Sequence, residues 1–413
     1  MADLEKRIQN IFDEFLNSEV KDLVTSSDKK DVIPTGIDYL DMMLGGGIVL
    51  GGMSMWVGRP GCGKSTITAS IAKNAQKIYN GNAVVLYLDS EGSMSTYRLK
   101  QLGVDNPPIE VKRISTIESI FQVIDAVCKY LEDPKNIKLL DGAPILIIWD
   151  SIANTKPEKA FQTDDINQVI GLRARLISNQ LPKYLSKMEK YNIALTTVNQ
   201  LVDQLNMGMF APAPDLRFMS QDKDIPGGNS LKFNTSQLIF LQERTPLKKE
   251  QFGFQGIKVQ VKCVKNKLFV PNNPFEIVLD YNRGFSNFWT NFEFLKSVKR
   301  ITTGAWSYLN DYKEKKFRIK EAPIIYNSNP IFKDIFDITV KYELEKLRRE
   351  LSVEEELTEP LVIDLESLKQ KYNQKIVVES KEEVKISEKE NVILQENELS
   401  KDNNLEQNKI QED

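Results

Sequence analysis

Gly58-Arg59-Pro60-Gly61-Cys62-Gly63-Lys64-Ser65 satisfies the pattern G-x-x-x-x-G-K-[ST]. It follows the apolar run Met53 to Val57 and precedes Thr66 to Lys77, whose spacing predicts a helix. A strand, a glycine-rich turn and a helix in that order make a phosphate-binding P-loop: glycines let backbone N–H groups converge on phosphate oxygens at a helix N-terminus. In this reading Lys64 bridges the outer phosphates and the Ser65 hydroxyl ligates Mg²⁺. Gly58, Arg59, Pro60, Gly61, Cys62, Gly63, Lys64, Ser65 and Thr66 are therefore the candidate nucleotide-binding segment, with ATP and Mg²⁺ as cofactors.

Three further apolar runs end in polar residues suited to such a site. Ile145 to Trp149 ends in Asp150-Ser151, placing a carboxylate at the C-terminal edge of a parallel sheet, where ligands bind. About 90 residues beyond a P-loop, Asp150 is a candidate for the Mg²⁺ shell. Ala83 to Leu88 ends in Asp89-Ser90-Glu91-Gly92, and Glu91 is either the carboxylate that polarises an attacking water or a surface-loop acid. Ala194 to Val198 ends in Asn199-Gln200, and Gln200 is either a reporter of nucleotide state or an ordinary strand terminus. Behind it runs a long stretch of little periodicity, Leu201 to Pro226, closed by Gly227-Gly228-Asn229. Loops of this length are usually functional or disordered.

Composition narrows the chemistry. The 413 residues contain no histidine, which removes Ser-His-Asp and Cys-His triads, histidine-ligated zinc and imidazole acid/base steps. Three cysteines without a Cys-x-x-Cys pair suit a reducing compartment. No apolar run is long enough to span a bilayer and the charged N-terminus does not resemble a signal peptide, so the expected location is cytoplasmic, or the host cytoplasm if the source is a phage, with no membrane partner. Hydrophobic residues at 41% and charged residues at 27% describe ordinary globular usage and exclude collagen-like, coiled-coil and wholly disordered chains.

Charge is unevenly placed. Ser352 to Asp413 holds 17 acidic and 8 basic residues, leaving 47 basic and 41 acidic in the body. That tail has one aromatic, Tyr372, and is expected to be largely disordered after about Lys375. It either solubilises the chain or competes with a polyanion for the basic body. Met1 to Leu16 reads as an amphipathic helix separated from the rest by the polar stretch Thr25 to Asp31. Between Ile33 and Asp280, strand-like runs alternate with helical patterns, adding Gln237 to Leu241 and Lys258 to Val264 to those above. After Gly284 the sequence turns aromatic-rich. The expected organisation is an arm at 1–32, an α/β core with a parallel sheet at 33–284, a small second domain at 285–351 and the acidic tail at 352–413.

The order of these motifs resembles the RecA family of homologous-recombination ATPases, including the bacteriophage UvsX-type recombinases, from about Ile33 to Trp306. The pieces are Thr35-Gly36 with Leu40-Asp41, the P-loop, Asp89-Ser90-Glu91, Leu102-Gly103-Val104-Asp105, Asp150-Ser151-Ile152-Ala153 and Asn199-Gln200. Gly227-Gly228-Asn229-Ser230-Leu231-Lys232-Phe233, Val264-Lys265-Asn266-Lys267 and Gly304-Ala305-Trp306 follow. DnaB-type helicases share the first elements but not the Gly-Gly-Asn and Val-Lys-Asn-Lys blocks.

The resemblance implies a RecA-like P-loop NTPase core, α/β with a mostly parallel central sheet flanked by helices, and a small C-terminal α/β domain. It implies a DNA-dependent ATPase that forms helical filaments on single-stranded DNA and exchanges strands with homologous double-stranded DNA, served by single-strand-binding and loading proteins. Glu91 would then activate water, Asp150 hold the Mg²⁺ shell and Gln200 couple nucleotide to DNA. Lys265 and Lys267 would reach the γ-phosphate of a neighbouring protomer. The DNA loops would be about Pro157 to Gln168, flanked by Arg173 and Arg175, and Leu201 to Gly228. The second loop carries Met207, Met209, Phe210, Arg217, Phe218, Met219 and Lys223, and Gly227, Gly228 and Asn229 close it.

Departures are also present. The position aligned with the family's adenine-stacking aromatic is Arg98, with Tyr97 one residue earlier, so a cation over the base or Tyr97 after a one-residue shift both serve. The first loop is acidic at Glu158, Asp164 and Asp165, and the N-terminal helix has an apolar face suited to an adjacent protomer. Two other classes share much of this pattern: a ring-forming helicase or clock-type ATPase on the same fold, and a non-catalytic mediator paralogue. Intact Lys64, Glu91, Asp150 and Lys265 argue against the last.

Overall fold

A computed structural model of the chain describes residues 30–104, 109–162, 166–203, 223–352 and 360–372. The arm helix Met1 to Leu16, the tail beyond Tyr372, and Asp105, Asp164 and Asp165 lie outside these described residues.

The P-loop strand β1 (Met53–Gly58) is buried along its whole length. Around it the sheet comprises β2 (Val84–Asp89), β3 (Ile109–Arg113), β4 (Ile145–Asp150), β5 (Ile193–Gln200), β6 (Gln237–Leu247), β7 (Gly256–Asn266), β8 (Pro274–Asp280) and β9 (Gly284–Phe285). These nine strands run in the order β9-β8-β7-β6-β1-β5-β4-β2-β3. From β6 to β3 every neighbouring pair is parallel; β6-β7, β7-β8 and β8-β9 are antiparallel. The sheet is thus mostly parallel.

Its central strands are apolar throughout because both faces are covered. Successive side chains point to opposite faces. Trp56, Leu146 and Ile148 therefore enter one core with Ile67 and Ile71 of helix α2 (Lys64–Ile78). Met55, Val57, Ile147 and Trp149 enter the other, with Ile120 and Ile124 of α4 (Ile117–Tyr130) and Ile177 and Leu181 of α5 (Ile166–Lys190). The short helices α1 (Asp38–Leu44) and α3 (Thr96–Gln101) precede these pairs in their own segments, and α6 (Gly228–Asn234) packs on α5.

The hairpin β6–β7 is longer than its apolar runs. From Gln242 to Pro246 the side chains are exposed, so the strand continues by backbone pairing with β7 and not by burial. Hydrophobic patterning has no sight of such an extension.

The chain forms two compact units. The aromatic helix α7 (Asn287–Ser297) is assigned by sequence texture to the second domain, but its contacts put it in the first. Asn287 Nδ2 and Asn291 Nδ2 donate to Asp38 Oδ2 at 2.9 and 2.7 Å, and the Phe294 ring lies 4.5 Å from Tyr39. The second unit begins at Val298, not at residue 285. It contains the antiparallel strands Ile301–Thr302, Ser307–Leu309 and Tyr312–Phe317, with Phe317, Phe332 and Phe336 buried at its centre.

The start of β6 is held by one buried amide. Gln237 donates to Leu44 O (3.1 Å) and Gly47 O (2.9 Å) and accepts from Val49 N (3.1 Å) and Ser54 Oγ (2.7 Å). Gln237→Leu, close in volume, removes the partner of Gly47 O, Val49 N and Ser54 Oγ in the core, while Leu44 O keeps Asn266 Nδ2 at 3.2 Å. It is expected to cost about 3 kcal/mol, read as a lower urea midpoint at unchanged slope.

Candidate functional site: the C-terminal edge of the parallel strands

Register brings the candidate residues to one edge. Gly58 pairs with Gln200 on one side and Leu241 on the other, while Asp150 pairs with Asp89 and Val198. The P-loop, the Asp89-Ser90-Glu91 turn, Asp150-Ser151 and Asn199-Gln200 therefore leave the sheet together.

At Gly58 a Cβ would lie 2.5 Å from Leu241 O and 2.6 Å from Cys62 Sγ, so the loop closes on the neighbouring strand only without a side chain. Gly61 (φ +84°) and Gly63 (φ +89°) adopt left-handed conformations, and a Cβ on Gly61 meets nothing within 4 Å. That opening lies before α2, whose first amides have no side-chain cap. Lys64 is almost fully buried and donates through Nζ to Arg59 O at 2.8 Å, folding its charge back over the loop. Arg59 and Pro60 are exposed, Cys62 is buried with its thiol pushed up by burial, and Thr66 sits in the first turn of α2.

Asp150 is completely buried. Its Oδ2 accepts from Tyr87 Oη at 2.7 Å, and Oδ1 has no hydrogen-bond partner. Burial raises its carboxyl pKa, and the nearby Ser65 hydroxyl and the Tyr87 hydrogen bond work against that shift. A hydroxyl beside an unoccupied carboxylate oxygen is a hard, oxygen-only donor pair, which suits Mg²⁺, an ion that keeps waters and takes phosphate oxygens as its other ligands. Ser65 and Asp150 fit that ion.

Glu91 stands on a turn shaped by Asp89, whose carboxylate accepts from Glu91 N (3.0 Å), Gly92 N (2.7 Å) and Met94 N (3.1 Å). Ser151 Oγ (2.7 Å), Asn154 Nδ2 (2.5 Å) and Gln200 Nε2 (3.0 Å) all donate to Glu91 Oε1. The residue is exposed, and the three donors all fall on Oε1. Next to Gln200, Asn199 Nδ2 donates to Pro226 O at 2.8 Å. A continuous path thus runs from Glu91 through β5 to the segment before α6.

Arg98, on α3, donates to Tyr281 O (3.0 Å) and Gln101 Oε1 (3.2 Å), whereas the Tyr97 side chain is 71% exposed. Tyr281 itself, absent from the sequence reading, is exposed and leads into β9, whose Phe285 abuts Gly63.

The residues assigned to DNA divide into two groups. Met207, Phe210 and Arg217, with Met209, Phe218 and Met219, lie outside the described residues. Val202–Asp203 and Lys223–Asp224 pair antiparallel and close the base of that loop. Gly227 (φ +114°) and Gly228 (φ +78°) follow, and a Cβ on Gly228 would come within 3.0 Å of Ala174 Cβ on α5. Asn229 and Arg175 are exposed; Arg173 is half-buried with Nε unpartnered, and burial lowers its pKa. Sequence reasoning did not single out Lys156, just before the first loop, or Phe161 within it, whose ammonium and exposed ring lie 6.0 Å apart.

Lys265 does not approach its own P-loop. It pairs with Leu238, which pairs with Met55, about 10 Å short of Gly58 along the strands. Its Nζ donates to Phe233 O (2.6 Å) and Lys232 O (3.2 Å) at the end of α6, and Lys267 is exposed. Burial, and then Lys267, lower the Lys265 pKa.

Fold and site together define a P-loop protein whose phosphate cradle, candidate Mg²⁺ ligands and candidate water-activating carboxylate share one sheet edge. Residues 2–286 match the family model described as the RecA N-terminal domain. The chain is 31% identical over 255 residues to Protein RecA of Thermus aquaticus, covering 62% of this chain and 68% of that one. It is 30% identical over 335 residues to Protein RecA of Ureaplasma parvum serovar 3, covering 79% and 90%. With Protein RecA of Helicobacter hepaticus the figures are 28% over 320 residues, 77% and 85%. The chain belongs to the RecA family. Among the described residues no helix is long and apolar enough to cross a membrane.

The two loop glycines are expected to fail differently on substitution. Gly58→Ala forces the loop off Leu241 and costs about 2 kcal/mol of stability. Gly61→Ala costs about 1 kcal/mol for its left-handed φ but puts a methyl group into the cradle. Both should weaken binding of a fluorescent ATP analogue; only Gly58→Ala should markedly lower the melting temperature.

Proposed function

We propose that this chain is an ATP- and Mg²⁺-dependent recombinase that assembles as a helical filament on single-stranded DNA and exchanges strands with a homologous duplex. The observation that carries this reading is the contact of Gln200 Nε2 with Glu91 Oε1, beside that of Asn199 with Pro226. It links a hydrolytic carboxylate to the base of a long loop.

In this reading ATP lies with its phosphates on the amides of Gly61 to Thr66, and Lys64 swings from Arg59 O to the outer phosphates. Bound Mg²⁺ supplies charge neutralisation of the phosphates, with Ser65 and Asp150 as its protein ligands. Glu91, pinned through Oε1, presents Oε2 to the water and takes its proton. Tyr97 is better placed than Arg98 to stack on the base, because the guanidinium is held by Tyr281 O and Gln101. Adding γ-phosphate draws Gln200 from Glu91 and moves Asn199, and with it Pro226 and the Gly227-Gly228 turn. DNA lies along that loop, with phosphates met by Arg175, Lys156 and, after rearrangement, Arg173.

Lys265 and Lys267 serve a neighbour's nucleotide, since about 10 Å of strand separates Lys265 from its own loop along the sheet. Charge stabilisation in trans then makes turnover depend on assembly.

Steady-state ATP hydrolysis with and without single-stranded DNA, with negative-stain microscopy of the same samples, tests the reading. Strong stimulation and open helical filaments are expected; DNA-independent turnover by closed rings would replace it with the helicase or clock-type class.

Two variants test the roles of individual groups. Glu91→Gln should lower turnover at least about a hundredfold while nucleotide still binds. Lys265→Ala should abolish most DNA stimulation while monomer affinity for nucleotide stays within about twofold of the parent, because the group it serves belongs to the next subunit.

A further inference from the structure

Tyr87 lies in the middle of β2, fully buried, and packing alone would be served equally well by phenylalanine. Its hydroxyl nevertheless joins two elements of the site. Tyr87 Oη donates to Asp150 Oδ2 at 2.7 Å, and Thr68 Oγ1 lies 3.3 Å from the same oxygen. Thr68 is three residues after Ser65 on α2, hence on the same helix face, and its Oγ1 also lies 2.9 Å from Ser65 O. The Thr68 and Tyr87 hydroxyls therefore lie side by side where the helical turn that carries Ser65 meets the strand next to the one that carries Asp150.

The consequence is asymmetric for the carboxylate. Oδ2 is occupied by a short, charge-assisted hydrogen bond. Oδ1, on a side chain with no exposed surface, has no partner. A buried carboxylate oxygen is rarely left unmatched unless a ligand completes it. Rotating the carboxylate to satisfy Oδ1 elsewhere would break the tyrosine contact.

Resting on the nucleotide-site reading above, we infer that Tyr87 is a positioning residue for the magnesium ion: by occupying Asp150 Oδ2 it reserves Oδ1 as the one carboxylate oxygen offered to the ion that Ser65 also ligates. Phenylalanine at 87 fills the same space but frees the carboxylate to turn and leaves Thr68 without its neighbour. The penalty then falls on Mg²⁺ binding and not on the phosphate cradle.

The test is binding of a methylanthraniloyl derivative of a non-hydrolysable ATP analogue to the full-length chain, followed by fluorescence during a Mg²⁺ titration and again in EDTA. Tyr87→Phe is expected to raise the half-saturating Mg²⁺ concentration roughly tenfold, the effect of one lost hydrogen bond to a charged group, with metal-free affinity unchanged. Thr68→Val should raise it less, and decides the matter if Tyr87→Phe does not fold. A Mg²⁺ midpoint equal to that of the parent in a folded variant overturns the inference, as does equal weakening with and without Mg²⁺, which marks a purely structural role. If the parent chain itself shows no Mg²⁺-dependent binding, the nucleotide-site reading fails and the inference falls with it.

Discussion

Everything chemical in this protein hangs on the parallel pairing of β1 with β5 and β6. A strand hydrogen-bonded on both sides and buried on both faces has no freedom to slip, since a one-residue shift would send Trp56 into the core that Met55 and Val57 occupy. With that register held, Gly58 ends level with Gln200 and Leu241, and Asp150 ends level with Asp89. The glycine-rich loop, Asp150 and the turn that carries Glu91 then leave the sheet side by side. Gln237, anchoring the start of β6 to the α1 segment, holds the other end of the same pairing.

The edge is kept electrically unfinished. Asp150 is removed from water and burial raises its pKa, against the hydrogen bond from Tyr87 and the nearby Ser65 hydroxyl. An unmatched buried oxygen costs about 1–3 kcal/mol, a cost of the sort that persists where a ligand offsets it. Glu91 is treated in the opposite way: it stays at the surface, and its three donors crowd one oxygen. Two carboxylates a strand apart are thus given different work by burial and by how their lone pairs are shared.

The same arrangement gives a physical route from Glu91 to the segment before α6. Asn199 and Gln200 are consecutive, so their side chains leave the strand in different directions, one to Pro226 and one to Glu91. Displacing either disturbs the other through a single stiff stretch of buried backbone. Gly227 and Gly228, both in left-handed conformations, supply the turn that lets α6 lie against α5. At the far end of α6, Lys265 of β7 donates to the Lys232 and Phe233 carbonyls, which ties the end of that helix to the sheet.

What the sequence determined by itself was local. The strand–loop–helix around Gly58 to Ser65, the apolar runs ending at Asp89, Asp150 and Asn199, and the alternation that yields a parallel sheet were legible because each is a short-range pattern of glycine, charge and hydrophobic period. The tertiary structure decided what depends on which strands are neighbours. Nothing near position 87 distinguishes a tyrosine that bonds Asp150 from one that fills a core, and nothing near Asn154 says that it meets Glu91. The exposed half of β6 escaped notice because it is held by backbone bonds to β7. Helix α7 was assigned to the wrong side of a domain boundary because aromatic texture records burial without saying against what. Its place is set by Asp38 and Tyr39, some 250 residues away in sequence, and only folding brings such partners into hydrogen-bonding distance.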